Sequence, residues 1–183
     1  LLMTKYIKEF IYFLCHRILW LLLLIPSIHL KKVILLICGS KIGKNVSIHI
    51  GVKIIAPWNL EIGNNCTINS SCMIDARGGI SISDNVMIGY QSSIHSIGHN
   101  YREDEFPVFK SAVKVDSDVV IFSHCFIGPG VHLKYGCTLL PTTTVFKGVY
   151  DERSTLIGNP CKVINKNRNI VRGKQFHNSP FGF

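Results

Sequence analysis

Ala and Glu, the residues that build helices most readily, are scarce in this 183-residue chain, and charged side chains make up only 17% of it. Branched aliphatics are abundant instead, and hydrophobic residues reach 47%. That excludes a disordered composition and favours strands over most of the length. There is no CxxC pair. The seven cysteines (Cys15, Cys38, Cys66, Cys72, Cys125, Cys137 and Cys161) are odd in number and irregular in spacing, so they form no disulfide framework. They read as reduced core thiols of a cytosolic protein. Also lacking is a stripe of Arg and Lys with interleaved aromatics. Nucleic acid is therefore the weakest of the partners that a formal net charge of +9 would attract. An anionic membrane surface, an acidic polysaccharide and a phosphorylated cofactor remain.

No uninterrupted apolar run is long enough to span a bilayer. Residues 10–25 are apolar but broken by His16 and Arg17, and the clean run from Ile18 to Ile25 ends at Pro26. No small-residue cleavage site of the secretory type follows it. A helical segment is expected over 1–38. With Lys5, Lys8, Arg17, Lys31 and Lys32 around it, residues 5–37 read either as an interfacial helix on anionic lipid or as a helix packed on the domain or on a neighbouring subunit. The location expected is the cytoplasm, with peripheral attachment to the inner face of the membrane left open.

What is present from Ile42 onward is a period of six. An aliphatic opens each unit and a small or medium residue sits four places later. The units are IGKNVS (42–47) and IHIGVK (48–53), then IGNNCT (62–67), INSSCM (68–73) and IDARGG (74–79). ISDNVM (82–87) and IGYQSS (88–93) follow, and a last run goes from VDSDVV (115–120) to LLPTTT (139–144). Each unit makes one short strand and a turn, with the opening aliphatic directed inward, and three units make a triangular coil. A coil cannot bury its own apolar stack, so coils must pile on one another. Gly, Asn and Asp collect where the turns fall. Cys66, Cys72, Cys125 and Cys137 all take the fifth position of their unit, which explains them without chemistry. The expected fold is all-β, a parallel β-helix over 39–165, with a tail over 166–183.

The ladder is interrupted between Ile94 and Val113, so a loop over 95–112 is thrown out of the solenoid, and such a loop is usually functional. Of the eight histidines, His99 stands at the start of this excursion, exposed yet backed by the ladder. It reads either as a general base, because imidazole titrates near neutrality, or as a plain surface histidine. His95, His99 and His124 offer three metal ligands, but at no diagnostic spacing, and no metal is expected.

Four stretches carry a resemblance: GSKIGKNVSIHIGVKIIAPWNLEIGNN (39–65), SIGHNYREDEFP (96–107), FIGPGVHLKYG (126–136) and IGNPCKVINKNR (157–168). In this order the chain resembles the bacterial hexapeptide-repeat acetyltransferases, closest to the capsule, colanic-acid and O-antigen O-acetyltransferase branch. The resemblance implies a left-handed β-helix, a homotrimer with its site between neighbouring prisms, and acetyl-CoA as donor substrate with no metal. It implies a sugar or glycan hydroxyl as acceptor in surface polysaccharide or lipopolysaccharide synthesis. It also assigns roles. His99 would be the general base, Asn69 would lie across the cleft near the acceptor, and the N–H of Ser123 would stabilise the oxyanion. Asp75 and Tyr101 would line the acceptor. Lys147, Gly158, Asn159, Pro160 and Lys162 would hold the CoA end.

The chain departs from the family pattern in three places. Val120 replaces a usual Trp, Phe122 a usual Gly, and Leu140-Pro141-Thr142-Thr143 a usual Gly-Ala-x-Ser stretch. Two alternatives stay in view: an N-acetyltransferase acting on a nucleotide-linked amino sugar, and a non-catalytic trimeric scaffold.

Overall fold

The computed structural model describes residues 2–165, so the tail at 166–183, with His177, lies outside the described residues. From Lys41 the chain winds into a three-faced solenoid of short parallel strands. Face I stacks Lys41–Ile42, Leu60–Ile62, Ile80–Ile82, Val113–Val115, Val131–Leu133 and Gly148–Tyr150. Face II stacks Ser47–Ile48, Thr67–Ile68, Met87–Ile88, Val120–Ile121, Thr138–Leu139 and Thr155–Ile157. Face III stacks Lys53–Ile55, Met73–Asp75, Ser93–His95, Phe126–Ile127 and Thr144–Val145. The result is the parallel β-helix expected from the six-residue period, with the left hand that the resemblance implied.

The aliphatics that open each unit meet in register. Ile48 pairs with Ile68, Ile68 with Ile88, Ile88 with Ile121, and Ile121 with Leu139. They form a dry central column, each 0–1% exposed. Coil length follows the insertions. Ile62 pairs with Ile82 twenty residues on, Ile82 with Val115 thirty-three on, and Val115 with Leu133 eighteen on. The long coil holds the excursion. Two of the extra residues in the first coil go into a short 3-10 turn at Pro57–Asn59.

The edges are built by small donors. At the edge between faces II and III, the Cys72 thiol donates to the Gly89 carbonyl at 3.1 Å, the Ser92 hydroxyl to Phe122 at 2.9 Å and the Cys125 thiol to Leu140 at 3.2 Å. At the edge between faces I and II, Cys66 and Cys137 do the same to Ser83 and Asp151. Along that edge Asn45, Asn65 and Asn85 adopt positive φ, and their side-chain amides form a ladder with 3.1 and 3.2 Å bonds. All seven cysteines are free.

The expected helical segment is two helices, broken at Pro26: α1 (Leu2–Leu22) and α2 (Ile28–Ile37). Ser27 caps the second by accepting from the Leu30 N–H. Both lie on the first coil. Leu19, Leu23 and Leu35 join the core, the Trp20 indole donates to the Ile54 carbonyl at 3.1 Å, and the fully buried Lys31 ammonium donates to the Ile48 carbonyl at 3.0 Å.

Candidate active site

The excursion is an ordered β-hairpin rather than an open loop. Strands Ile97–His99 and Val108–Lys110 pair antiparallel, with His99 opposite Val108. Its base is fixed at the edge between faces III and I by Ser96, which is fully buried. The Ser96 hydroxyl donates to the Asp75 carbonyl at 2.7 Å and accepts from the Gly78 N–H at 2.8 Å, while its own carbonyl accepts from the Ser111 N–H at 2.9 Å. Gly98 lets the Phe109 ring lie against it; a Cβ there would come within 2.9 Å of that ring.

His99 ends the first hairpin strand, exposed. Its Nδ1 lies 2.7 Å from the Phe106 carbonyl oxygen. A carbonyl only accepts, so Nδ1 carries the proton and the lone pair of the neutral ring sits on Nε2, open to solvent. That is the tautomer a general base needs. Phe106 presents its carbonyl by taking φ of 46°, in the left-handed region. The hairpin tip is closed by its own bonds: Asn100 N–H to Pro107 O at 2.9 Å, Phe106 N–H to Glu103 O at 3.0 Å, and Arg102 N–H to the Asn100 side chain at 3.2 Å. Tyr101 is 74% exposed at this tip, with the Arg102 guanidinium 5.7 Å from its ring centre.

Below the hairpin, Asp75 sits beside His95 in the ladder. Asp75 is buried, and Arg77 clamps both its oxygens, Nε to Oδ1 at 2.9 Å and Nη2 to Oδ2 at 2.6 Å. Burial pushes the carboxyl up, but the Arg77 hydrogen bonds and charge outweigh it and hold the group below the usual carboxylate value. Burial pushes the His95 imidazole down, opposed only in part by Asp75, and its ring stacks on Phe126 at 5.3 Å between centres.

The other predicted residues lie at the opposite border of face III. Asn69 follows Ile68 there, and its side-chain amide donates to the Ile88 carbonyl at 2.8 Å. Ser123 occupies the same edge two coils further along. Its carbonyl accepts from Thr142 at 3.0 Å, whereas its N–H has no acceptor among the described residues. Gly89 allows that close approach, since a Cβ would fall 2.6 Å from the Ser123 nitrogen. Phe122, 39% exposed, flanks this amide, while Val120 is buried. Gly158 also lies on this edge, at φ of 94°, and its carbonyl accepts from Thr144. Asn159 and Pro160 follow, exposed, and Lys162 begins the strand Lys162–Asn165, which folds back antiparallel on Thr155–Ile157. Lys147 stands apart, on the edge that bears the hairpin, next to Gly130.

One chain therefore holds the base at one border of face III and the free amide at the other, roughly 15 Å apart along a strand. Among the described residues no group of three or more His, Cys, Asp or Glu side chains is placed to hold a metal ion. His124 lies on the Ser123 edge, away from His95 and His99. Sequence reasoning missed Arg77, Ser96 and the Phe106 carbonyl. The Asp-x-Arg spacing was a usable signal for Arg77. The other two contacts depend on how the hairpin closes.

The repeat and the three stacked parallel faces define the fold, a left-handed β-helix, which the chain shares with a solved hexapeptide-repeat acetyltransferase of Vibrio cholerae at a TM-score of 0.71 and 16% identity over 76% of this chain and 77% of the other. No family model matches the chain. In sequence it is 27% identical over 136 residues to the putative colanic acid biosynthesis acetyltransferase WcaF of Escherichia coli K12, a match that covers 74% of each chain. In structure it matches a galactoside acetyltransferase in complex with coenzyme A, with a TM-score of 0.76 and 21% identity over 84% of this chain and 79% of the other. It also matches AntD, an N-acyltransferase of Bacillus cereus in complex with dTDP and 3-hydroxybutyryl-CoA, with a TM-score of 0.61 and 19% identity over 76% and 87%.

Proposed function

We propose that the protein is an acetyl-CoA-dependent O-acetyltransferase acting on a sugar hydroxyl in surface polysaccharide or lipopolysaccharide assembly, and that it works as a homotrimer. The observation that carries this reading is the His99 tautomer, fixed by the Phe106 carbonyl with Nε2 left free at an exposed hairpin. Nε2 takes the proton of the acceptor hydroxyl as its oxygen attacks the thioester carbonyl. The oxyanion that forms is met by an amide such as the free Ser123 N–H, a contact worth about 3 kcal/mol of barrier in comparable sites. Collapse breaks the C–S bond, and the CoA thiolate takes the proton from the imidazolium. Asn69 and Tyr101 contact the acceptor, and Asp75 acts there through the guanidinium that it holds. Lys162, close after the Gly158-Asn159-Pro160 turn, and Lys147, from the hairpin edge of the neighbouring prism, offer cations to the CoA phosphates.

The trimer reading rests on the separation across face III. Packing the hairpin edge of one prism against the Ser123 edge of the next brings together what a single chain keeps apart. The likeness to AntD favours a second reading, N-acylation of a nucleotide-linked amino sugar, in which the same base serves a different acceptor.

The test is thiol release from acetyl-CoA with a panel of sugar and amino-sugar acceptors, wild type beside His99→Ala. Acceptor-dependent release that falls ~100-fold or more in the variant supports the assignment. A wild-type chain that binds no CoA sinks it.

A further inference from the structure

We propose that the end of the prism covered by α2, together with the overhanging part of α1, is a docking surface for an anionic lipid bilayer. α2 turns Lys31 and Leu35 inward and presents Leu30, Val33, Leu36 and Ile37 outward, the last 81% exposed. This outward row is apolar, so the helix is hydrophobic on both sides. A helix of that kind in a water-facing position lacks a partner. α1 contributes in the same way. Its inner side touches the first coil through Trp20 on Ile54 and His16 on Ala56, with Leu19 buried in the core. The helix thus runs along that coil, parallel to the end of the prism. It is ~31 Å long, and Tyr6, Ile7, Phe10 and Ile11, before the contacting residues, are all more than half exposed.

Charge selects the occupant. The first sixty residues hold eight Lys and Arg against one acid, Glu9, while the remaining chain holds twelve against ten. Of those first eight, Lys31 is buried and Lys41 pairs with Glu61, which leaves six basic residues against Glu9 in the part of the chain that builds this end. Arg17 and Lys53 flank the Trp20 indole, at 5.1 and 5.4 Å from its ring, over a groove of about 240 Å³ lined by Leu21, Leu24 and Val52. Two cations over an apolar groove match a headgroup phosphate with the start of its hydrocarbon chain. A second copy of the protein is the poorer occupant, because it would bring the same positive end against itself. Copies packed along the prism sides leave the end uncovered. No helix among the described residues is long and apolar enough to cross a membrane, so the contact is one of lying on the surface.

The experiment is co-sedimentation of the full chain with vesicles of phosphatidylcholine alone and with about one third phosphatidylglycerol. Mass by light scattering is followed in parallel, for the wild type and for Val33→Glu/Leu36→Glu and Arg17→Glu/Lys53→Glu. The expected result is binding to the anionic vesicles at least tenfold above the zwitterionic ones, weakened by salt. Each double variant should lose binding tenfold or more, with its mass and circular dichroism unchanged. Equal binding to both vesicles, or none, overturns the proposal. So does a Val33→Glu/Leu36→Glu chain whose assembly falls apart while its vesicle binding persists, which would make this end a contact between copies. Thiol release in detergent-free buffer is read separately, so failure of the acetyl-transfer reading and failure of this one are distinguishable.

Discussion

At the scale of the residue, the proposed chemistry depends on one ring nitrogen. The Phe106 carbonyl keeps the proton on Nδ1 of His99, so Nε2 is the acceptor. His99→Gln keeps a donor to that carbonyl but has no basic nitrogen. Its kcat should fall ~100-fold or more while CoA binding by calorimetry stays near wild type. Asp75 gives a pH prediction. Its carboxyl is held below the usual value, so the stabilisation from Arg77 is present above the unfolded-state value of about 4 and is lost as pH falls through the lowered folded value. Urea midpoints of wild type and Asp75→Asn should therefore differ at pH 7 and draw together as pH drops toward 3; parallel curves would deny the ion pair this role. The cysteines give a third prediction. Burial pushes the thiols of Cys66, Cys72 and Cys137 up to about 11, and each donates to the backbone of the next coil. A thiol-specific disulfide reagent at pH 8 should label the exposed Cys15 of the folded protein rapidly and these three only after denaturation.

At the scale of the element, the hairpin was legible only as an interruption. The break in the six-residue ladder marked its limits, because the aliphatic column stops at Ile94 and resumes at Val113. Its pairing was not legible, since Ile97–His99 and Val108–Lys110 carry no turn dipeptide and no clean alternation. What closes it is tertiary: the Ser96 clamp between two coils, and the room left by Gly78 and Gly98. A Cβ at Gly78 would come within 2.2 Å of the Ser96 carbonyl, backbone that cannot swing away. Gly78→Ala should cost ~1–3 kcal/mol in thermal or urea unfolding, and should lower activity by tilting the hairpin. Replacing Ala112 by Ser at the far end of the same connection should do neither, which separates a local clamp from general fragility of the coil. The positions of Cys66, Cys72, Cys125 and Cys137 were fully legible, because a fifth-place residue must be small and buried whatever it bonds; Cys15, expected as a core thiol too, is exposed, and Cys38 and Cys161 are half-buried, because they lie outside the repeat.

At the scale of the whole molecule, the two borders of face III carry complementary halves of the proposed site, and that makes subunit mixing informative. His99→Ala and Asn69→Ala chains, each inactive alone, should regain activity when unfolded and refolded together, because about one cleft in four then holds both native side chains. If base and partner worked within one chain, no mixture would recover. Sequence alone determined the solenoid, since a period of six with an inward aliphatic admits one economical burial, a column of stacked triangular coils. It also determined the inner place of the four cysteines within the repeat and the limits of the excursion. Only the tertiary structure decided which nitrogen of His99 is free, that Asp75 is held by Arg77, and that His99 and Ser123 stand on opposite edges. Periodicity specifies which way a side chain points within its own coil. The partner it meets there is set by coils wound eighteen to thirty-three residues apart, and by the fold-back of a hairpin that the repeat does not encode.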